Sequence, residues 1–187
     1  MWWARLLNVI TGVHGVGVPP VTNSYESIAT GVGTGSSGTI TFSSIPSTYK
    51  HLQVRWIATA STGGAIYINL NSDGGSNYSS HNINGNGSTA VAQAQTATAN
   101  PLIIRNGGIT TTGDTMTVGV FDLLDYGNTS KNKTWRNLGG YDANGSGLIE
   151  LASGAWYNTA AITSLSFIHN GGNFTTDTVF ALYGIKG

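Results

Sequence analysis

Short runs in which apolar and polar residues alternate recur along most of this chain, separated by clusters of Gly, Asn, Ser and Thr. In HLQVRWIATA, the side chains of Leu52, Val54 and Trp56 fall on one face of an extended chain, and Gln53 and Arg55 fall on the other. A period of two residues is typical of a strand that buries one face in an antiparallel sheet. After residue 10, no segment keeps the 3.6-residue period of a helix, and the abundant Gly, Asn and Thr weaken helices. The pattern therefore restricts the chain to an all-β fold.

The same alternation predicts at least eight strands, enough for two packed sheets in one domain of this length. Further candidates are TITFSSIP, AIYINLN, TMTVGVFDLLDY, TWRNLGGY, GLIELASGAWY, ITSLSFIH and TVFALYGIK. We predict an antiparallel β-sandwich of jelly-roll type. The alternative is an immunoglobulin-like sandwich, whose Cys and Trp landmarks are missing here. TVFALYGIK is apolar on both faces, which favours a central or subunit-facing strand.

The stretch from Asn82 to Thr112 breaks the alternation. It contains mostly small and polar residues around one apolar island, Leu102 to Ile104. A long stretch without a clear period is typical of an insertion, so we expect it to cover a neighbouring element or to stay mobile.

The beginning of the chain, MWWARLLNVITGVHGVGVPP, does not fit a β-sandwich. We predict an N-terminal arm and linker over residues 1–23 and the jelly-roll domain over residues 24–187. Arg5 interrupts the apolar region that a signal peptide needs, so the segment is expected to be retained. One cation gives weak adsorption to a lipid surface, which favours docking on a protein over docking on a membrane. The residues predicted to dock are Trp2, Trp3, Arg5, Leu6, Leu7 and Ile10.

Composition excludes several classes of function. Charged residues make up 9% of the chain and the formal net charge is zero, so no strong field is available to gather nucleic acid. Cysteine is absent, and the four histidines lack metal-ligand spacing. GTGSSG has neither the spacing nor the context of a phosphate loop or a hydrolase elbow. We therefore predict no catalytic residue, no metal, no cofactor and no enzymatic activity.

Two carboxylates and three aromatic residues are the remaining candidates for a site. Asp122 and Asp125 lie three residues apart, so on a strand they face opposite sides and do not share a site. Asp125 is expected to form hydrogen bonds at a strand end or a subunit contact. Trp135, Trp156 and Tyr157 are candidates for a glycan-stacking platform or an interface, although large aromatic residues in a sandwich more often belong to the core.

NLNSDGGSN raises a further choice. Its Asn and Asp oxygens are ligands of the type that calcium prefers. A single carboxylate makes a weak calcium site, however, and Asp73 followed by Gly74 is a strong signal for a hairpin turn. We predict the turn.

Four separated motifs occur in order along the chain: SYESIATGVGTGSSGTITFSSIPSTYKHLQVR, DLLDYGNTSKNKTWRNLGG, GAWYNTAAITSLSFIHNGGNF and the final FALYGIKG. With these motifs, from about Tyr25 to Gly187, the chain resembles a group of small virion proteins of tailed bacteriophages. The likeness includes an N-terminus of the Met-Trp-x-Ala-(Arg/Lys)-Leu-Leu type. Proteins of this group are structural components with jelly-roll-like folds, and the resemblance supplies no catalytic motif.

Related small β proteins act as trimeric capsid cement or decoration, or as parts of fibres. The resemblance therefore implies a homotrimer on the capsid surface of a virion, assembled in the cytoplasm of a bacterial host, that binds the major capsid protein through its arm. The alternative is a tail-fibre or receptor-binding domain that recognises host surface polysaccharide. Neither nucleic acid nor a membrane is an expected partner.

Overall fold

The computed structural model describes residues 24–105, 107–111 and 114–187. The docking residues predicted in the arm, Trp2, Trp3, Arg5, Leu6, Leu7 and Ile10, lie outside these ranges. The regular elements of the described ranges are twelve β-strands. They are β1 (Tyr25–Val32), β2 (Thr39–Phe42), β3 (His51–Ala58), β4 (Ile66–Leu70), β5 (Tyr78–Gly85), β6 (Ala90–Thr98), β7 (Leu102–Ile104), β8 (Thr117–Leu124), β9 (Lys133–Asp142), β10 (Gly147–Trp156), β11 (Leu165–His169) and β12 (Val179–Ile185). Within the same ranges, no helix has the length and hydropathy needed to cross a bilayer.

The strands form two antiparallel sheets that enclose one core, as the alternation predicted. The large sheet has the order β1-β12-β3-β8-β9-β10-β5-β6, and the small sheet has the order β2-β11-β4-β7. Phe167 of the small sheet packs against two residues of the large sheet, with ring centroids 5.6 Å from Phe121 and 4.7 Å from Phe180. The fold is therefore an all-β antiparallel sandwich. β12 lies between β1 and β3, so TVFALYGIK is not an edge strand, as its two apolar faces predicted.

Eight of the strands form four nested antiparallel pairs, β1 with β12, β2 with β11, β3 with β8, and β4 with β7. Successive pairs belong alternately to the large and the small sheet. The other four strands, β9, β10, β5 and β6, continue the large sheet on one side. The large sheet consequently extends beyond the small one, and most residues of β6 are exposed on both faces.

The stretch from Asn82 to Thr112 is more ordered than its sequence indicated. It contains the end of β5, all of β6 and the short β7, in which Ile103 and Ile104 are fully buried. β6 reads AVAQAQTAT, and Ala and Gln have no preference for strands, so its sequence alone gives a weak signal. Backbone pairing with β5 holds it in the sheet.

The turn predicted at Asp73-Gly74 is not a hairpin turn. β4 belongs to the small sheet and β5 to the large one, so the segment between them crosses from one sheet to the other. The left-handed residues are Asn71 and Ser72, with φ of 52° and 57°. The carboxylate of Asp73 accepts hydrogen bonds from the backbone N–H of Gly75, from Asn77 and from the indole of Trp156. Both carboxylate oxygens are therefore used in fixing this crossing, and these bonds hold the pKa of Asp73 below its usual value.

Candidate functional site

The outer face of the large sheet, the face turned away from the small sheet, carries a continuous band of apolar residues. Cross-strand pairing aligns one residue from each strand in a row that runs from the β1 edge to the β6 edge. This first row consists of Val32, Val179, Ile57, Val118, Gly140, Ile149, Gly85 and Ala90. It contains no polar side chain.

A second row runs beside the first and consists of Thr30, Ala181, Arg55, Val120, Leu138, Leu151, Ile83 and Ala92. We call the two rows together the apolar stripe. Several of its large side chains are about half exposed, including Ile149 at 62%, Ile83 at 54% and Leu138 at 51%. Because the inner face of the same strands already builds the core, nothing in the described fold covers these residues.

Arg55 is the one charged residue of the apolar stripe, and its side chain turns toward one border of the stripe. The guanidinium of Arg55 lies 5.6 Å from the ring centroids of both Tyr25 and Tyr183, a cation–π arrangement. Its Nε donates a hydrogen bond to Gln53, which belongs to the next row of the outer face. Arg55 therefore points toward the polar part of the face, and the rest of the stripe is uncharged.

That next row is polar and closes the stripe on one side. Asp122 accepts hydrogen bonds from Gln53 at 2.9 Å and from Nε of Arg136 at 3.0 Å. On the next strand, Ser153 lies opposite Arg136. Asp122 and Arg136 form an ion pair, so these two residues add no net charge to the row that borders the stripe.

A groove with a volume of about 760 Å³ lies over the part of the stripe that β8, β9 and β10 form. Val118, Leu138 and Ile149 line it, and the β9–β10 hairpin forms one wall. Gly140 lies between the larger residues of the first row, and a Cβ added there would lie 2.1 Å from the carbonyl oxygen of Leu148. Glycine at this position is therefore required by packing, and it leaves a depression in the surface.

Trp135 and Trp156 are buried, which overturns their interpretation as glycan-stacking residues. They are 3% and 1% exposed, because both side chains lie on the inner face of the large sheet. Trp135 stacks on Phe121 and Trp156 stacks on Tyr78, with ring centroids 5.8 and 6.2 Å apart. Neither indole can present a face to a sugar ring.

Tyr157, the third aromatic candidate, is 59% exposed at the end of β10. Its hydroxyl shares a hydrogen bond with Ser79. Trp135 and Trp156 lie inside the core, so Tyr157 is the only one of the three at the surface. The three residues therefore do not form one platform.

Asp125 occupies the position predicted for it, directly after the last residue of β8. Lys131 and Lys50 form ion pairs with its carboxylate, and hydrogen bonds from these two ammonium groups lower its pKa from 3.8 to about 2. Its backbone N–H donates to Nδ1 of His51. Asp122 lies within β8 on the outer face, so the two carboxylates do not form a pair.

A buried polar cluster lies under the part of the large sheet that extends beyond the small one. Glu150 is fully buried and accepts hydrogen bonds from Nδ2 of Asn82 at 2.6 Å and from the backbone N–H of Arg105 at 2.8 Å. The guanidinium of Arg105 donates to Asn84 at 2.7 Å. Burial raises the pKa of Glu150 above its usual value, although these hydrogen bonds oppose the increase.

A small polar cleft of about 270 Å³ lies beside this cluster, between β6 and the edge of the small sheet. Its lining includes Tyr67, Asn82, Gln93, Gln95 and Arg105. Amide, hydroxyl and guanidinium groups of this kind donate and accept hydrogen bonds, which suits a polar ligand. Across the described ranges, no three His, Cys, Asp or Glu residues are grouped so that they could hold a metal ion.

The alternation in the sequence contained part of the signal for the apolar stripe. Strands such as GLIELASGAW carry apolar residues on both faces, but the rows form only when strands distant in sequence are paired. No protein-family model matches this chain, and no curated protein matches it.

Proposed function

We propose that this chain is a structural protein of a bacteriophage virion, a capsid cement or decoration protein that binds the major capsid protein and stabilises the head shell. The observation that carries the proposal is the apolar stripe. Contiguous exposed apolar surface on a folded domain is one of the features that mark a site of protein–protein contact. A cement protein acts through its contact surfaces and is present in many copies on the shell. An exposed apolar face is suited to such contacts.

The nested strand pairs support the jelly-roll form of the sandwich. A jelly roll is a long antiparallel ribbon of paired strands wrapped so that successive pairs lie in opposite sheets. The pairs β1 with β12, β2 with β11, β3 with β8, and β4 with β7 follow that order. The four motifs that resemble small virion proteins support the same assignment.

In this proposal the N-terminal arm makes the contact with the major capsid protein. Trp2, Trp3, Leu6, Leu7 and Ile10 are apolar, and burying each large side chain contributes roughly 1.5–3 kcal/mol. In a homo-oligomer, several arms bind one shell, and the high effective concentration of the second and later arms strengthens the attachment. The protein is assembled in the host cytoplasm and remains on the capsid surface.

The experiment is a binding assay with capsids that lack this protein. Removal of residues 1–18 is expected to leave a folded sandwich, by circular dichroism, that no longer sediments with capsids. The double variant Trp2→Ala/Trp3→Ala is expected to weaken binding in the same direction. A linker variant, His14→Ala/Thr22→Ala, serves as the matched control and is expected to bind normally. Normal decoration by the truncated chain would show that the arm is not the contact.

The polar cleft favours a second candidate function, a tail-fibre or receptor-binding domain that recognises host surface polysaccharide. The amides of Gln93 and Gln95 and the guanidinium of Arg105 are suited to the hydroxyl and carboxylate groups of such sugars. Binding on a glycan array that is lost in Gln93→Ala and retained in Ser153→Ala on the outer face would support it. Cryo-electron microscopy of the virion separates the two functions, because the first requires density on the head and the second at the tail.

A further inference from the structure

We propose that the apolar stripe is the surface through which one copy of this chain binds a second copy. The inference rests on the proposed function in one respect, because a cement protein acts in several copies. It assigns a separate role to each part of the chain. The stripe holds the copies together, and the arm remains free for the shell.

The charges of the molecule favour a second copy as the partner. The formal net charge is zero, so two copies approach each other without mutual repulsion. Within the stripe the one charged residue, Arg55, is held between Tyr25 and Tyr183 at its border. Asp122 and Arg136 neutralise each other in the neighbouring row. When two identical faces meet, no pair of like charges is therefore buried.

The size of the stripe reaches what a specific contact between two copies needs. Eight strands about 4.8 Å apart span about 38 Å, and two rows of outward residues span about 14 Å, which gives about 500 Å². Contact between two such faces buries about 1,000 Å², near the lower limit for a specific interface.

The relief of the face is complementary to itself. Leu138, Leu151 and Ile83 form a ridge in the second row, and in the first row Gly140 and Gly85 leave a depression on either side of Ile149. The contact is two-fold, so it joins two copies where the resemblance implies three, and each surface element meets its counterpart on the other copy. A face that contains both the ridge and the depression can place the ridge of each copy in the depression of the other.

The test measures the mass of the full-length chain in solution. Light scattering coupled to gel filtration, with sedimentation analysis from about 1 μM to about 100 μM, covers the range in which a weak specific interface dissociates. The wild-type chain is expected to show a mass of at least twice 19.4 kDa. Leu138→Glu introduces an unpaired charge into the contact and is expected to raise the dissociation constant at least about 30-fold.

The matched control is Thr134→Glu, which places the same charge on the same strand and face, outside the stripe. Leu138 and Thr134 are both exposed. Circular dichroism and the melting temperature are measured for both variants, and values equal to those of the wild type establish that both variants fold. Loss of association in Leu138→Glu alone supports the inference. A wild-type monomer throughout the concentration range, or equal association of both variants, overturns it.

The result is distinguishable from failure of the proposed function. The chain without residues 1–18 is expected to remain associated while losing capsid binding. Leu138→Glu is expected to bind capsids through single arms, with reduced affinity. Associated wild-type protein that never binds capsids would contradict the proposed function and leave the self-association surface supported.

Discussion

Glu150 offers a direct test of how the buried polar cluster supports the extended part of the large sheet. The carboxylate lies on β10, and it joins Asn82 on β5 to the backbone of Arg105, the residue that follows β7. Glu150→Leu removes both acceptors and keeps a side chain of similar volume. The amide of Asn82 and the N–H of Arg105 are then left without their acceptor.

The expected cost follows from these two donors. A buried donor that loses its acceptor costs about 1–3 kcal/mol, so two give about 2–6 kcal/mol. Removing the buried carboxylate offsets part of this free-energy cost, because burial itself disfavours the charge. We therefore expect Glu150→Leu to lower the free energy of unfolding by about 3 kcal/mol. For a domain of this size the melting temperature falls by about 6–12 °C.

Glu150→Gln is the control. Its Oε1 can accept from the N–H of Arg105, and the side chain of Asn82 can turn to offer its oxygen to the new amide. The expected loss is below about 1 kcal/mol. Urea denaturation followed by circular dichroism measures both variants. A leucine variant as stable as the wild type would refute the reasoning, since the two hydrogen bonds would then contribute nothing net.

The same residue predicts a dependence on pH. The pKa of Glu150 is raised in the folded state above its ordinary 4.5. Its contribution to stability is therefore fully present below pH 4.5 and is lost as the pH rises through the folded pKa. The difference in unfolding free energy between the wild type and Glu150→Gln is expected to shift in favour of the glutamine variant as the pH rises toward 8. A difference that is constant with pH would contradict the raised pKa.

Two further predictions concern packing and acid stability. Gly154→Ala places a Cβ 2.2 Å from the ring of Trp135 and 2.5 Å from the carbonyl oxygen of Ser79, and it is expected to lower the free energy of unfolding by about 1–3 kcal/mol. Gly127→Ala, with open space around it, is expected to be neutral. Equal melting temperatures for the two variants would show that the indole and the neighbouring strand shift without cost. The lysine partners of Asp125 lower its pKa from 3.8 to about 2. Its contribution to the free energy of unfolding is therefore fully present above pH 3.8 and is lost as the pH falls through about 2. Asp125→Asn is expected to show a shallower loss of stability over that interval in acid titration, and an unchanged slope would mean that the ion pairs with Lys131 and Lys50 do not form in solution.

The fold class could be predicted from sequence because it depends on local pattern. The alternation in β3 determines that Leu52, Val54 and Trp56 share a face, and all three are buried. The position of Asp125 at a strand end could also be predicted, since a polar residue followed by Tyr-Gly-Asn interrupts the alternation. β6 could not be predicted because Ala and Gln have almost no strand propensity. Its strand conformation depends on backbone pairing with β5.

The candidate sites depended on contacts between residues far apart in the chain. The sequence favoured the core for Trp156 and left a surface platform as the alternative, and the outcome follows from the face of β10 that turns toward the small sheet. Glu150 and Arg105 are separated by 45 positions and meet only because β7 and β10 pack together.

By itself the sequence determined that this protein is built of half-buried strands, that its charges are few and balanced, and that its first 23 residues differ in character from the rest. The tertiary structure alone decided which apolar residues are covered. An alternating strand defines two faces but not which one is buried, and neighbours in a sheet are chosen by pairing across long separations in sequence. The apolar stripe exists because eight strands from the whole length of the domain align their outward residues in register.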